Sequence, residues 1–139
     1  MINILIITHG QLGAELVRTA ETIVGRQEGV AVLPLHQEDS LATISANTEN
    51  ILRSLDGCDG VLVLTDMLGG TPCNASLPFS VTHNIEIVSG INLYMLLSAF
   101  MNRQRMTLAE LAKKAMTDAV KNIANVKAIF LQKMKPKEA

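Results

Sequence analysis

Apolar runs rich in β-branched residues alternate along this chain with segments whose apolar residues fall at helical spacing. Ile4 to Ile7 is a continuous apolar run, as expected of a parallel strand buried on both faces. Between Gly13 and Gly25, the residues Leu16, Val17, Ala20, Ile23 and Val24 share a helical face, and Gly25 is placed to cap that helix. Val30 to Leu35 reads as a second strand. Asp39 or Ser40 can cap a second helix, whose apolar face holds Leu41, Ile44, Ile51, Leu52 and Leu55. A turn at Asp56-Gly57 leads into a third strand, Val61 to Leu64. After Gly69-Gly70, Thr71 is an N-cap candidate and Pro72 the first residue of a third helix, which Pro78 should kink or end. Ile85 to Val88 is a fourth strand, followed by a helix through Leu93, Leu96, Leu97 and Phe100. Thr107 caps a further helix to about Asn122, and Val126 to Leu131 reads as a closing strand.

This alternation predicts an α/β fold: a three-layer, doubly wound, mostly parallel sheet with helices on both faces. Sites in such folds lie beyond the C-terminal ends of the strands. A single domain is expected over residues 1–131, with a charged, Pro-containing tail over 132–139. Val126, Ala128, Ile129, Phe130 and Leu131 are too apolar for a free tail, and as an edge strand they need a partner or a cover.

Composition narrows the function. Hydrophobic residues make up 48% of the 139 and charged residues 18%, enough for a core and incompatible with wholesale disorder. Aromatics are 3%, with no Trp, so the core is aliphatic and stacking platforms for single-stranded nucleic acid are scarce. Twelve Lys+Arg against thirteen Asp+Glu give a formal charge of -1, which argues against nucleic acid as a partner. No apolar run approaches the roughly 20 residues that span a bilayer, and the N-terminus lacks a basic region and a cleavage site. A cytoplasmic protein without membrane insertion is therefore expected. Cys58 and Cys73 have no CxxC spacing and suggest neither a disulfide scaffold nor a zinc ribbon.

Candidate chemistry sits at two strand ends. The first strand ends in Thr8-His9-Gly10, and the third runs into Thr65-Asp66 followed by Gly69-Gly70-Thr71-Pro72. If the two strands are neighbours, an imidazole and a carboxylate leave the same edge of the sheet. A carboxylate accepting from one ring nitrogen fixes the tautomer and leaves the other nitrogen basic and outward-facing. Gly69, Gly70 and Thr71 open a helix where bare backbone, first-turn N–H groups and the helix dipole favour an anion. Each part alone has a plain structural role: a solvated loop histidine, a turn aspartate, a tight bend, an N-cap. Together, a nucleophilic His9, an orienting Asp66 and an anion cradle suggest phosphoryl transfer through histidine.

Three stretches carry a resemblance to a known family. They are Ile4-Leu5-Ile6-Ile7-Thr8-His9-Gly10, Asp66-Met67-Leu68-Gly69-Gly70-Thr71-Pro72-Cys73-Asn74, and Ser89-Gly90-Ile91-Asn92-Leu93-Tyr94-Met95-Leu96. From Met1 to about Leu131 the chain resembles the mannose-class enzyme IIA proteins of the bacterial phosphoenolpyruvate-dependent sugar phosphotransferase system. The resemblance implies that His9 is phosphorylated, that Asp66 is its hydrogen-bond partner and that the Thr71 hydroxyl lies near the phosphate. It implies phospho-HPr, the histidine carrier, as donor and a IIB protein as acceptor, within reach of a membrane permease complex. It also implies a homodimer in which the C-terminal edge strand is exchanged. No IIB segment follows within these 139 residues, so a separate acceptor polypeptide is expected. Leu68 stands where some relatives have an aromatic residue and Cys73 where Phe is common, while Pro78 interrupts the helix that follows.

Other readings have less behind them. A regulatory phosphoprotein, whose phosphorylated His9 signals phosphotransferase flux to a protein partner without sugar transport, needs only the added charge and acceptor oxygens of a phosphate. A hydrolase built on Thr8 or Thr71 with His9 and Asp66 lacks a GxSxG elbow. Nucleotide motifs are missing, and a metal site of His9, Asp66 and His36 has no supporting ligand pattern. No metal or cofactor is called for. His36 follows the second strand and could line the same edge, but with Gln37-Glu38-Asp39 it reads rather as a solvated loop; His83 lies at the opposite edge of the sheet, and Cys73 reads as a small buried residue.

Overall fold

The structure, a computed structural model, describes residues 1–57 and 59–136; Cys58 and the last three residues of the expected tail lie outside them. Strand β1 (Asn3–His9) is followed by helix α1 (Leu12–Val24), β2 (Val30–Leu35), α2 (Leu41–Ser54) and β3 (Val61–Thr65). Then come α3 (Thr71–Ser76), a 3-10 turn (Leu77–Ser80), β4 (Ile85–Val88), α4 (Leu93–Asn102), α5 (Leu108–Lys121) and α6 (Val126–Met134). The four strands form one sheet in the order β2-β1-β3-β4, and every pairing is parallel.

Side-chain alternation along the strands builds the layers. Ile4, Ile6, Leu62 and Leu64 point to one face, where they meet α1, α4 and α5 through Ala20, Leu96, Ala99, Leu111 and Ala115. Leu5, Ile7, Val61 and Val63 point to the other, against Ile44 and Leu52 of α2 and Ala75 of α3. With both faces covered, the central strands carry apolar side chains at consecutive positions, which is why their sequence shows runs rather than alternation. Each fully buried Leu or Ile contributes about 1.5–3 kcal/mol by leaving water.

Local signals place the elements. Ser40 accepts from the Thr43 N–H and so starts α2; Thr107 and Glu110 form a reciprocal capping box at α5. Pro34 lies in β2, an edge strand, where a missing N–H does least harm. Pro78 ends α3 early, and the chain continues as the 3-10 turn. The cap of α3 differs by one residue from expectation: extended Gly70 is the N-cap, and Thr71 is the first helical residue.

The C-terminal strand expected over Val126 to Leu131 is not formed; this stretch is the first part of α6, and the expected domain boundary at 131 falls inside that helix. The physical reason lies in hydrogen bonding. A strand here needs the edge of a neighbour, whereas a helix satisfies its own backbone, and the Asn125 side chain starts one by accepting from the Ala128 N–H at 3.0 Å. α6 is exposed along its whole length. Among the described residues, no helix is long and apolar enough to cross a membrane.

At the opposite end of the sheet from the strand C-termini, Arg103 ties three elements together. It is buried, donating to the Ile2, Glu28 and Gly29 carbonyls and to the Gln27 side chain. Its guanidinium also lies 5.6 Å from the centre of the Phe100 ring.

Candidate functional site

The chain leaves β1 toward β2 on one side, and later enters β3 on the other, so the order reverses between β1 and β3. Such a switch point opens a crevice beyond the strand C-termini. His9 is the last residue of β1, and Asp66 follows the last residue of β3. The sheet thus brings together two side chains that are 57 residues apart in sequence.

Their contact is specific. Asp66 Oδ2 accepts from the His9 backbone N–H at 2.8 Å and lies 2.7 Å from His9 Nδ1. The other oxygen, Oδ1, accepts from the Met67 N–H at 2.8 Å. Burial opposes ionisation of Asp66 and is the largest single influence, but the backbone and ring bonds from His9 and the Met67 N–H together outweigh it. The carboxyl is held below its ordinary range. An ionised carboxylate can only accept, so Nδ1 carries a proton, and in the neutral ring the lone pair is on Nε2. The Asp66 side chain is 11% exposed and the His9 side chain 56%, which fits an anchored partner and a presented nucleophile.

The neighbouring backbone is shaped for close approach. Thr8 is buried, and its hydroxyl accepts from the Gly13 N–H at 2.9 Å, fixing the start of α1 beside His9. Gly10 takes a positive φ of 54° at the turn out of β1, and Gly69 one of 77° before α3. A Cβ on Gly70 would stand 3.5 Å from His9 Cε1, so the glycine backbone lies against the ring. A cleft of about 620 Å3 opens here, lined by His9, Leu35, His36, Asp39, Ile44 and Thr71 among others.

Of the residues singled out in the sequence, His9, Asp66, Gly70 and Thr71 come together, while Gly69 supplies the turn that delivers Gly70 and Thr71. His83 is remote; its ring meets Thr82 and packs edge-on against Phe79. Cys73 is buried. No group of His, Cys, Asp and Glu among the described residues is arranged to hold a metal ion. His36, read as a loop residue, lines the same cleft as His9. The available signal was its place directly after the strand that pairs with β1.

A family model described as "PTS system fructose IIA component", EIIA-man, matches residues 3–116, which include both strand ends. This chain belongs to the EIIA-man family. That family groups IIA components of sugar phosphotransferase systems. Over 140 residues it is 31% identical to the mannose-specific EIIAB component of Escherichia coli K12, covering 99% of this chain and 43% of that protein. The chain thus spans less than half the length of that relative. It is 28% identical over 112 residues to the fructose-specific EIIA component of Bacillus subtilis, covering 80% of this chain and 77% of that one. The crystal structure of an EIIA component from Streptococcus agalactiae superposes with a TM-score of 0.85 at 30% identity, over 92% of this chain and 99% of that one. A mannose/sorbose-specific IIA subunit from Enterococcus faecalis gives 0.82 at 26% identity, over 90% and 94%.

Proposed function

We propose that His9 is the residue that carries the phosphoryl group, taking it from phospho-HPr and passing it to a IIB unit for sugar uptake and phosphorylation. The observation that supports this most is the 2.7 Å contact between Nδ1 and the Asp66 carboxylate, which makes Nδ1 the donor and leaves Nε2 as the nitrogen that can act as nucleophile in the neutral ring. In the transfer, the Nε2 lone pair attacks phosphorus, and a new N–P bond forms as the N–P bond to the donor imidazole breaks. The electron pair of the broken bond returns to the donor ring. His9 becomes cationic as it is phosphorylated, and the carboxylate at Nδ1 offsets that charge. Gly69 and Gly70 let backbone approach the phosphoryl oxygens, and the Thr71 hydroxyl can donate to one of them. No step calls for a metal or cofactor.

The test is incubation with phosphoenolpyruvate, the general phosphotransferase enzyme and HPr, followed by localisation of acid-labile phosphate. Phosphate on His9, lost in His9→Ala and retained in His83→Ala, is the expected result. Full labelling of His9→Ala would overturn the assignment.

The functional unit in this proposal is a homodimer. Val126, Ile129, Phe130, Leu131 and Met134 of α6, with Met116 and Val120 of α5 and Ile123 beyond it, form a large exposed apolar set, more than a free monomer ordinarily leaves in water. A second copy is the proposed cover. Light scattering should give twice the mass of one chain for the full protein, and a single-chain mass when it is cut after Asn125. A monodisperse monomer for the intact chain at micromolar concentration refutes the dimer.

A further inference from the structure

The turn after β2 places an unassigned imidazole beside the proposed phosphoryl carrier. Leu35 is the cross-strand neighbour of His9 in the parallel register, and its carbonyl accepts from the Gly10 N–H at 2.8 Å. His36 therefore stands one residue beyond that neighbour, across a strand spacing of about 4.8 Å. The Asp39 carboxylate accepts its backbone N–H at 2.8 Å, and the Asp39 N–H donates to its carbonyl at 3.1 Å. The turn is thus held at both ends, while the His36 ring has no hydrogen-bond partner among the described residues. That ring lines the same cleft as His9 and Thr71.

A phosphoryl group on Nε2 brings up to two negative charges and three acceptor oxygens into this cleft. The carboxylates already present, Asp66 on His9 and Asp39 in the turn, oppose it. Among the described lining residues none is Lys or Arg; Thr71 offers a hydroxyl, Gln37 a neutral amide and His36 an imidazole N–H. Of these three donors, an imidazole alone can also bring positive charge. We propose that the His36 ring donates an N–H to a phosphoryl oxygen carried on His9 Nε2, and so sets how firmly this protein holds its phosphate. The inference rests on the reading of His9 as the carrier, and it concerns the phosphorylated state.

Phosphoramidate tests it without any protein donor. Nε2 attacks its phosphorus, the P–N bond breaks and ammonia leaves, so a fixed ratio of phosphoramidate to ammonia sets an equilibrium occupancy of His9. That occupancy is read by phosphorus NMR, with the phosphate located by mass spectrometry, on the full chain and on His36→Ala, His36→Gln and His83→Ala. The phosphorylated-to-free ratio should fall on the order of tenfold in His36→Ala, as for loss of a hydrogen bond to a charged group. His36→Gln, which keeps an N–H donor, should recover part of it, and His83→Ala should match the parent. Nitrogen NMR should also show the His36 ring signals shifting when His9 of the parent is phosphorylated. A His36→Ala ratio within twofold of the parent, unmoved His36 ring signals, or phosphate on His36 in place of His9 each overturns the inference. If phosphoramidate loads His9 but phospho-HPr does not, the functional reading falls while these ratios still decide the role of His36.

Discussion

Replacing Asp66 by Asn keeps the shape of the side chain but removes its charge, and the hydrogen bonds around it can no longer all be made. In the native protein Oδ2 receives two N–H groups of His9, at 2.8 and 2.7 Å, and Oδ1 receives that of Met67 at 2.8 Å. An amide has one oxygen. Placed at the Oδ2 position, it leaves its NH2 facing the Met67 N–H, two donors in confrontation. Flipped, it turns NH2 toward His9 Nδ1, which must then accept, so the ring proton moves to Nε2 and the nucleophile is lost. The charge itself also matters: hydrogen bonds to ionised partners contribute about 1.5–3 kcal/mol against 0.5–1.5 for neutral ones. A difference of about 1.4 kcal/mol is tenfold in rate, and the misplaced proton adds a comparable factor. The expected loss in phosphoryl transfer is on the order of 10²-fold or more, within the roughly 10⁴-fold seen when a triad aspartate is neutralised. Single-turnover transfer from labelled phospho-HPr at neutral pH, by rapid quench, measures it, with circular dichroism to confirm the fold. The variant should also change the acid limb of stability. The Asp66 carboxyl titrates lower when folded than when unfolded, so its stabilisation is complete above the unfolded value of about 4. It is lost as pH falls through the folded value. Parent and variant unfolding curves should therefore converge in acid. A transfer rate within twofold of the parent would remove Asp66 from the mechanism.

Other substitutions separate the scaffold from the site. Arg103→Met leaves the Ile2 and Glu28 carbonyls without their buried donor and should cost about 3 kcal/mol in urea unfolding, with His9 labelling unchanged; a loss under about 1 kcal/mol would refute the pinning role. Thr65→Val removes a buried hydroxyl that has no partner among the described protein atoms. It should leave stability unchanged or raise it by about 1 kcal/mol, and a clear loss would show that the hydroxyl is satisfied in solution. Gly13→Ala would place a Cβ 2.8 Å from Ile6 Cγ2 and 3.2 Å from Thr8 Oγ1. Thermal unfolding should reveal a cost of about 1–3 kcal/mol, despite alanine's better helix propensity, and a stabilised variant would contradict the close packing of α1 on β1.

The legible parts of this protein were those governed by short-range rules. β2 and β4 appear at the residues expected, because runs such as Val30–Leu35 and Ile85–Val88 have no helical alternative of adequate length. Thr107 and Ser40 announced their helices through side chains that cap them. His9 and Asp66 were legible because both sit where strands end, and a doubly wound sheet gathers such ends. His36 was legible only in part: its place after β2 put it at the same edge, but a turn residue's direction depends on how Asp39 folds the loop back. The segment after Asn125 was misread for a different reason. An apolar, partly β-branched stretch has no single preference until its surroundings are known, and alone it takes the helix that its Asn cap and Lys, Ala, Leu and Met residues favour.

The tie between His9 and Asp66 has a consequence for the life of the chain before it is finished. A ribosome releases His9 early and Asp66 57 residues later, and synthesis proceeds at about 5–20 residues per second. Until β3 has emerged and aligned beside β1, nothing sets the proton on His9 Nδ1 or holds the ring upright. Nascent chains therefore carry the histidine for several seconds without its chemistry. On the proposed reading of His9 as the carrier, half-made copies draw no phosphate, and competence switches on with the long-range strand pairing. In a translation reaction arrested at successive lengths, the onset of labelling would time the closure of the β1–β3 ladder.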